Sequence, residues 1–318
     1  MRKVVLEIVR AVRKARTILI STHERADGDA LGSELAFLEL ALNMGKAAEV
    51  VNPNPVPSVY SFLPLARRVR KAPARARRPD LAVALDVPSL NRLRGVARLF
   101  PRASSTVNID HHLDNANFAT WNWVDTSRSC VGEMVLDLAQ ELGCVTPTMA
   151  ANLYVALVTD TGRFTFSNTS ARSFAAAKRL LAFGADPHAI AVRLYQSAPE
   201  KLVRLSAHVA STLRTYDRGR IAVMELAWSR LRRSGVSPLD TQDFSDMPRD
   251  IEGVCLGVFF REEAPRFVKV SLRAKDDFDV ARIARLFGGG GHRAAAGFTL
   301  EMPLADARAA VLKALRRA

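Results

Sequence analysis

Short β-branched runs alternate with helical segments over the first half of this 318-residue chain, and that alternation restricts its fold more than any other feature. Residues 17–22 (TILIST), 48–52, 81–85 (LAVAL) and 106–109 (TVNI) have the length and apolar character of strands. Residues 30–44 place Leu31, Leu35, Leu38 and Leu42 at helical spacing, with Gly45 just past the end. Residues 130–142, 149–158 and 171–183 also read as helices, the last stopping at Gly184. This order predicts an α/β fold, a mostly parallel sheet flanked by helices. In such sheets ligands gather beyond the carboxyl ends of the strands. His23 follows the first run, Asp86 the third, and Asp110, His111 and His112 come at the end of the fourth, so all should meet at one edge.

Residues 186–213 read as continuous helix rich in Ala, Arg and Leu, a connector that would let two domains open and close. Beyond it, 220–226 (RIAVMEL), 253–260 and 267–272 read as strands, with helices at 279–287 and 304–316, forming a smaller α/β domain. The expected division is 1–185, a helical linker over 186–213, and 214–318. Trp121 and Trp123 alternate along a further strand, where packing is a better explanation than base stacking.

The formal net charge is +14, which favours polyanionic partners such as nucleic acid, although a high Arg content also follows from genomic composition. The densest cluster holds Arg67, Arg68, Arg70, Lys71, Arg75, Arg77 and Arg78. With Pro73 inside it and no apolar periodicity, it reads as an exposed loop. No apolar run reaches about 18 residues, so no membrane span is expected. Val4, Val5, Leu6, Ile8, Val9 and Val12 recur at helical spacing but are interrupted by Glu7, Arg10 and Arg13. That pattern predicts an amphipathic first helix and no export signal. Cys130, Cys144 and Cys255 lie far apart without C-x-x-C spacing, which argues against a disulfide framework or zinc site and for a reducing, cytoplasmic setting.

The polar residues at the strand ends suit divalent cations. His23, Asp27 and Asp29 lie on one turn with Gly28 between the acids, and Asp160 follows a helix in 159–162 (TDTG). Taken singly, D-G-D is often a turn, an Asp after a strand often caps a helix, and adjacent histidines arise by chance. Their joint placement carries the argument. Carboxylate oxygen suits magnesium and manganese, and imidazole shifts the preference toward manganese. A two-metal hydrolase needs several carboxylates, at least one of them shared, with the ions about 3.5–4 Å apart.

Five stretches carry a family resemblance. Residues 23–33 (HERADGDALGS) look like the first motif of the DHH phosphoesterases, and Asp86 in LAVALDVPSLNRLRG resembles the second. IDHHLDN (109–115) matches the signature that names the family. TDTGRFTFSNT (159–169) resembles the fourth motif of the nanoRNase/pAp phosphatase branch, and GGGGHRAAAG (288–297) matches the DHHA1 signature. The resemblance covers nearly the whole chain in the family's order. Ala26 stands where the first motif commonly has Pro, which removes stiffness from the turn and no ligand.

The resemblance implies a DHH catalytic domain followed by a DHHA1 substrate-binding domain. It implies two divalent ions, manganese first with magnesium or cobalt as alternatives. His23, Asp27 and Asp86 would hold one ion; Asp29, Asp86, His111 and Asp160 the other. His112 would stabilise phosphoryl oxygens or protonate the leaving group, with Asp110 orienting a histidine. Arg273, Gly289, Gly290, Gly291 and His292 would bind substrate phosphate, and Arg163 and Phe164 would contact a nucleotide. The implied activity is hydrolysis of short oligoribonucleotides (nanoRNA) to mononucleotides, with 3′-phosphatase action on pAp as a second activity. A phosphodiesterase for linear dinucleotides from cyclic dinucleotides, and a catalytically silent RNA-binding protein, remain as alternatives. A long-chain exonuclease lacks room for its extra domain, and a family II pyrophosphatase has a different second domain. The family also suggests a homodimer.

Overall fold

The computed structural model describes residues 2–72, 78–275, 278–291 and 293–316. Its contacts divide the chain into two units, Met1–Ser197 and Ala198–Ala318. The first contains α1 (Arg2–Lys14), β1 (Thr17–Ser21), α2 (Gly28–Asn43), β2 (Ala47–Asn52), β3 (Val69–Lys71), β4 (Leu81–Leu85), β5 (Ser105–Asp110) and β6 (Trp121–Val124). Then follow α3 (Val131–Glu141), α4 (Pro147–Asp160), α5 (Ala171–Ala182) and α6 (Pro187–Tyr195).

Every residue of LAVAL is buried, because both faces of the sheet are covered and polar alternation has no place in it. Ile18, Ile20, Val83 and Val107 pack under α1–α4, while Leu19, Ala82 and Ala84 face Leu93, Val96, Leu99 and Phe100 from the kinked 3-10 segment Leu90–Arg102. All strand pairs are parallel, in the order β3-β2-β1-β4-β5-β6. After β1 the chain builds outward on one side through β2 and β3, then returns to build β4, β5 and β6 on the other. The carboxyl ends of β1 and β4 therefore flank the switch point where such sheets bind ligands.

Two glycines set the distance between α2 and α4. A Cβ on Gly28 would lie 2.3 Å from Thr159 Oγ1, and one on Gly32 would lie 2.3 Å from the Asn152 carbonyl oxygen. Gly28 is thus required for close approach to α4.

Two readings from the sequence are corrected. Part of the basic cluster is regular structure: Val69 pairs with Val50, and Arg70 and Lys71 point outward on an edge strand, a charged device that blocks further pairing. Pro73, Arg75 and Arg77 lie outside the described residues. The stretch 186–213 is two helices: α6 places Ile190 in the core of the first unit, whereas α7 (Glu200–Ser211) places Leu205 and Val209 in that of the second. Pro199 caps α7 and interrupts the helix, since it lacks an N–H and pushes its predecessor out of helical geometry.

The second unit continues with β7 (Arg214–Tyr216), β8 (Ile221–Leu226), α8 (Trp228–Ser234), β9 (Leu256–Ala264), β10 (Phe267–Ala274), α9 (Val280–Leu286), β11 (Gly290–Gly291), β12 (Ala295–Leu300) and α10 (Leu304–Leu315). Its sheet has the order β11-β12-β10-β9-β8-β7, antiparallel except for the parallel β8–β9 pair. β10 alternates buried and less buried residues along its length, the two-residue period of a strand with one covered face. Among the described residues no helix is long and apolar enough to cross a membrane.

Candidate metal centre

The chain segments leaving β1, β4 and β5 converge on one cluster of carboxylates and imidazoles. His23 lies two residues past β1. Its Nδ1 donates to the Glu24 carbonyl at 2.8 Å, which leaves Nε2 as the nitrogen that faces Asp86 Oδ2 at 3.2 Å and Asp27 Oδ2 at 3.9 Å. His111 repeats the device. Nδ1 donates to the Arg128 carbonyl at 3.2 Å, and Nε2 lies 3.6 Å from Asp86 Oδ1, 3.8 Å from Asp160 Oδ2 and 4.0 Å from Asp29 Oδ2. A ring held in this way, once it gives up its Nε2 proton, presents the tautomer that a metal ligand needs.

The carboxylates are fixed by helix ends. Asp27 is the N-cap of α2, with Oδ1 accepting from Ala30 N–H at 3.0 Å. Asp29, one residue into α2, accepts from Val131 N–H (2.7 Å) and Gly132 N–H (2.9 Å) at the start of α3, and from Ser33 Oγ (3.0 Å). Asp160 ends α4, a helix C-terminus where an anion is disfavoured without a nearby cation. Asn168 Nδ2 donates to its carbonyl at 3.0 Å. Asp86 adopts φ +60°, a left-handed conformation of the kind held in place at functional sites. Its Oδ1 is buried and has no hydrogen-bond partner among the described residues.

Behind the cluster, Asp110 is fully buried and accepts from His112 Nδ1 (2.8 Å) and Asn115 Nδ2 (2.5 Å). His112 Nδ1 also lies 3.4 Å from Asp86 Oδ1.

Crowding shifts the protonation of the whole cluster. Burial pushes the Asp29 carboxyl well up, aided by the charges of Asp86 and Asp160. Burial also lifts Asp160 to about 7, with His111 opposing and Asp27 and Asp86 adding to the rise. Burial works against a charged His23, yet its hydrogen bond to Asp86 and the charges of Asp27 and Asp86 hold it at about 9. His111 reaches about 10 by the same contest, with Asp160, Asp86 and Asp29 outweighing burial. Asp86 is buried too, but the His23 hydrogen bond and the nearby histidines keep it below the usual carboxylate range. Protons are standing in for positive charge that divalent cations would supply.

Three sets of side chains could each hold an ion: His23, Asp27 and Asp86; Asp29, His111 and Asp160; and Asp86, His111 and His112. They join at Asp86 and His111. The orphaned Asp86 Oδ1, the two histidine tautomers and the four carboxylates fit a divalent pair sharing Asp86.

All the ligand candidates read from the sequence thus come together, as do Asp110 and His112. Of the other candidates, Arg273, Gly289, Gly290 and Gly291 belong to the second unit. Arg273, on β10, donates from Nε to Asp246 Oδ1 at 3.0 Å and from Nη1 to the Leu272 carbonyl at 3.2 Å. Gly290 and Gly291 pair with Gly297 and Ala296, and Gly289 backs onto the Gly297 carbonyl so closely that a Cβ would lie 2.3 Å from it. His292 lies outside the described residues. Arg163 stacks over Tyr195 at 4.8 Å and Phe164 on Phe174 at 5.0 Å, while Trp123 and Trp121 pack with the core.

Several contributors escaped the sequence reading. Asn115 and Asn168 stand inside the IDHHLDN and TDTGRFTFSNT stretches and were open to notice there. Glu24 and Arg128 act through main-chain carbonyls, and Val131 and Gly132 through main-chain N–H groups, which leave no trace in residue identity.

Known proteins resemble this chain in sequence and in fold. The DHH family, N-terminal domain, matches residues 17–158, and the DHHA1 domain matches residues 219–318. The bifunctional oligoribonuclease and PAP phosphatase NrnA of Thermus thermophilus is 34% identical over 321 residues, covering 99% of this chain and 93% of its own. The probable bifunctional oligoribonuclease and PAP phosphatase NrnA of Streptococcus mutans is 29% identical over 293 residues, covering 91% of each chain. An exopolyphosphatase-related protein from Bacteroides fragilis has a TM-score of 0.92 at 25% identity, covering 100% of this chain and 96% of that one. Sequence and fold agree, and the chain belongs to the DHH family, with a DHHA1 domain as its second part.

Proposed function

We propose that this protein is a two-metal phosphoesterase that hydrolyses short oligoribonucleotides to mononucleotides and pAp to AMP. The observation that carries the reading is Asp86, whose two buried oxygens face His23 on one side and His111 on the other while Oδ1 lacks a hydrogen bond. His23, Asp27 and Asp86 hold one cation, and Asp29, Asp86, His111 and Asp160 the other. When bound, the cations acidify water for in-line attack and offset charge on the phosphoryl oxygens. Asp110 fixes the His112 ring through Nδ1, and against the effect of burial that hydrogen bond and the charge of Asp86 favour its protonated form, so His112 can carry a proton to the leaving oxygen. Arg273 binds a terminal phosphate bidentately, and Gly289, Gly290, Gly291 and His292 approach phosphate closely. Two imidazoles among the ligands favour manganese, with magnesium or cobalt as substitutes. The printed activities of the Thermus and Streptococcus relatives support the choice of substrate. The free cysteines suit a cytoplasmic setting, and a homodimer is the assembly we carry forward from the family resemblance.

The test compares 5′-phosphorylated RNAs of two, five and twenty-four nucleotides, and pAp, in manganese, with Asp86→Ala alongside. Fast turnover of the short RNAs and pAp, slow turnover of the long one, and loss in the variant are expected. Equal rates at all lengths would point to a processive exonuclease, and no turnover of any of them would refute the reading.

A further inference from the structure

The residue after His23 is held on two sides. Glu24 N–H donates to the Arg92 carbonyl at 2.8 Å, and its carboxylate accepts from Arg94 Nε at 2.7 Å, with Arg92 Nη1 at 3.9 Å. Its own carbonyl accepts from His23 Nδ1 at 2.8 Å. A continuous line of contacts therefore runs from the Arg94 guanidinium through Glu24 to the His23 ring, whose Nε2 lies 3.2 Å from Asp86. The next residue is anchored as well, with Arg25 N–H donating to Asn54 Oδ1 at 2.9 Å.

Arg94 makes its contact from φ 49°, ψ −127°, a conformation that glycine adopts freely and side-chain-bearing residues avoid. Its side chain is 64% exposed. An ion pair that open to solvent contributes less to folding than such a backbone costs. Stability of the fold does not explain why the pair is kept, whereas its position behind a ligand candidate does.

We propose that Arg94 and Glu24 are positioning residues that aim His23 at the divalent cation it shares with Asp27 and Asp86, an inference that rests on the two-metal reading. Without the guanidinium the Glu24 carboxylate turns to solvent, the carbonyl that fixes the His23 tautomer loses its anchor, and the cation site containing His23 weakens. The site built on Asp29, His111 and Asp160 keeps its own support. His111 rests on the Arg128 carbonyl, and the Arg128 guanidinium is held by Asp125 at 3.1 Å and Asp137 at 2.7 Å, independently of Arg94.

The experiment is calorimetric titration of Mn²⁺ into the wild type, Arg94→Gly, Glu24→Gln and the double variant, with thermal unfolding of each metal-free protein. We expect one of the two sites to weaken by roughly 10- to 100-fold in each single variant, as loss of a ligand's supporting partner does elsewhere. The double variant should be no weaker than Arg94→Gly alone, because both changes act on the same contact. Arg94→Gly, relieved of strain, should unfold at the wild-type temperature or above. Two full-strength sites in both variants, or additive losses in the double, would overturn the proposal. Loss of both sites together with a lower unfolding temperature would make the pair a structural brace and overturn it equally. A wild type that takes up no Mn²⁺ would instead refute the two-metal reading beneath it.

Discussion

Replacing Gly32 with Ala separates two contributions of opposite sign. Gly32 lies inside α2, where alanine is the better helix former by about 1 kcal/mol, so propensity alone predicts a gain. The new Cβ, however, would stand 2.3 Å from the Asn152 carbonyl oxygen and 3.0 Å from Ala156 N. These are backbone atoms of α4, so no side-chain rotation relieves the contact. Ordinary contact begins near 3.4 Å, so α4 must retreat by about 1 Å. Overpacking of this kind costs roughly 1–3 kcal/mol, and the absence of a rotamer escape puts Gly32→Ala at the upper end. The net expectation is a loss of about 2 kcal/mol, which for a unit of this size lowers the unfolding temperature by about 4–8 °C. The same retreat moves Asp160, at the end of α4, away from Asp29 at the start of α2. A misplacement of about 1 Å can cost on the order of 100-fold in rate. Thermal unfolding and turnover of a dinucleotide read both effects. Gly95→Ala, where the Cβ meets nothing within 4 Å, is the control and should change stability by less than about 1 kcal/mol. A Gly32→Ala protein as stable as wild type would refute the close-packing argument.

Manganese uptake should expel protons. His23 and His111, at about 9 and about 10, are charged at pH 7 in the metal-free protein and must become neutral to ligate, and the raised Asp29 and Asp160 carboxyls must ionise, so at least about two protons should leave per protein. Calorimetry in buffers of different ionisation enthalpy checks this, and a buffer-independent heat would contradict it. In the metal-free protein those two raised values stabilise the fold fully below the unfolded value of 6.5, and the contribution fades as pH rises through 9 to 10. Metal-free protein should therefore lose stability between pH 7 and 10, and a flat urea midpoint across that range would contradict the assignment. Asp110→Asn leaves His112 and Asn115 as competing donors to a single amide oxygen, so His112 loses its fixed orientation. Steady-state kinetics should show kcat falling by roughly 10²–10⁴ with manganese affinity unchanged. Unchanged kcat would remove His112 from the reaction.

The parallel sheet was legible because strands buried on both faces are apolar along their buried length, as in LAVAL and the Ile18–Leu19–Ile20 run. β3 was not legible, since three residues with two outward cations carry no apolar pattern, and β12 hides in an Ala- and Gly-rich stretch. The break at 196–199 was hidden because helical composition continues on both sides of it, with Pro199 the one local sign.

Residue type and spacing by themselves determined which side chains could serve a cation and which strand end each would follow, because a parallel sheet sends successive carboxyl ends to one edge. Only the tertiary structure decided the geometry that makes them one cluster. The Glu24 and Arg128 carbonyls choose the histidine tautomers, the α3 N–H groups hold Asp29, and the clearance at Gly28 and Gly32 lets α4 bring Asp160 close. The physical reason is that these contacts are made by main-chain atoms or by missing atoms. Every residue has the same main-chain groups, so only the folded arrangement says which of them are used.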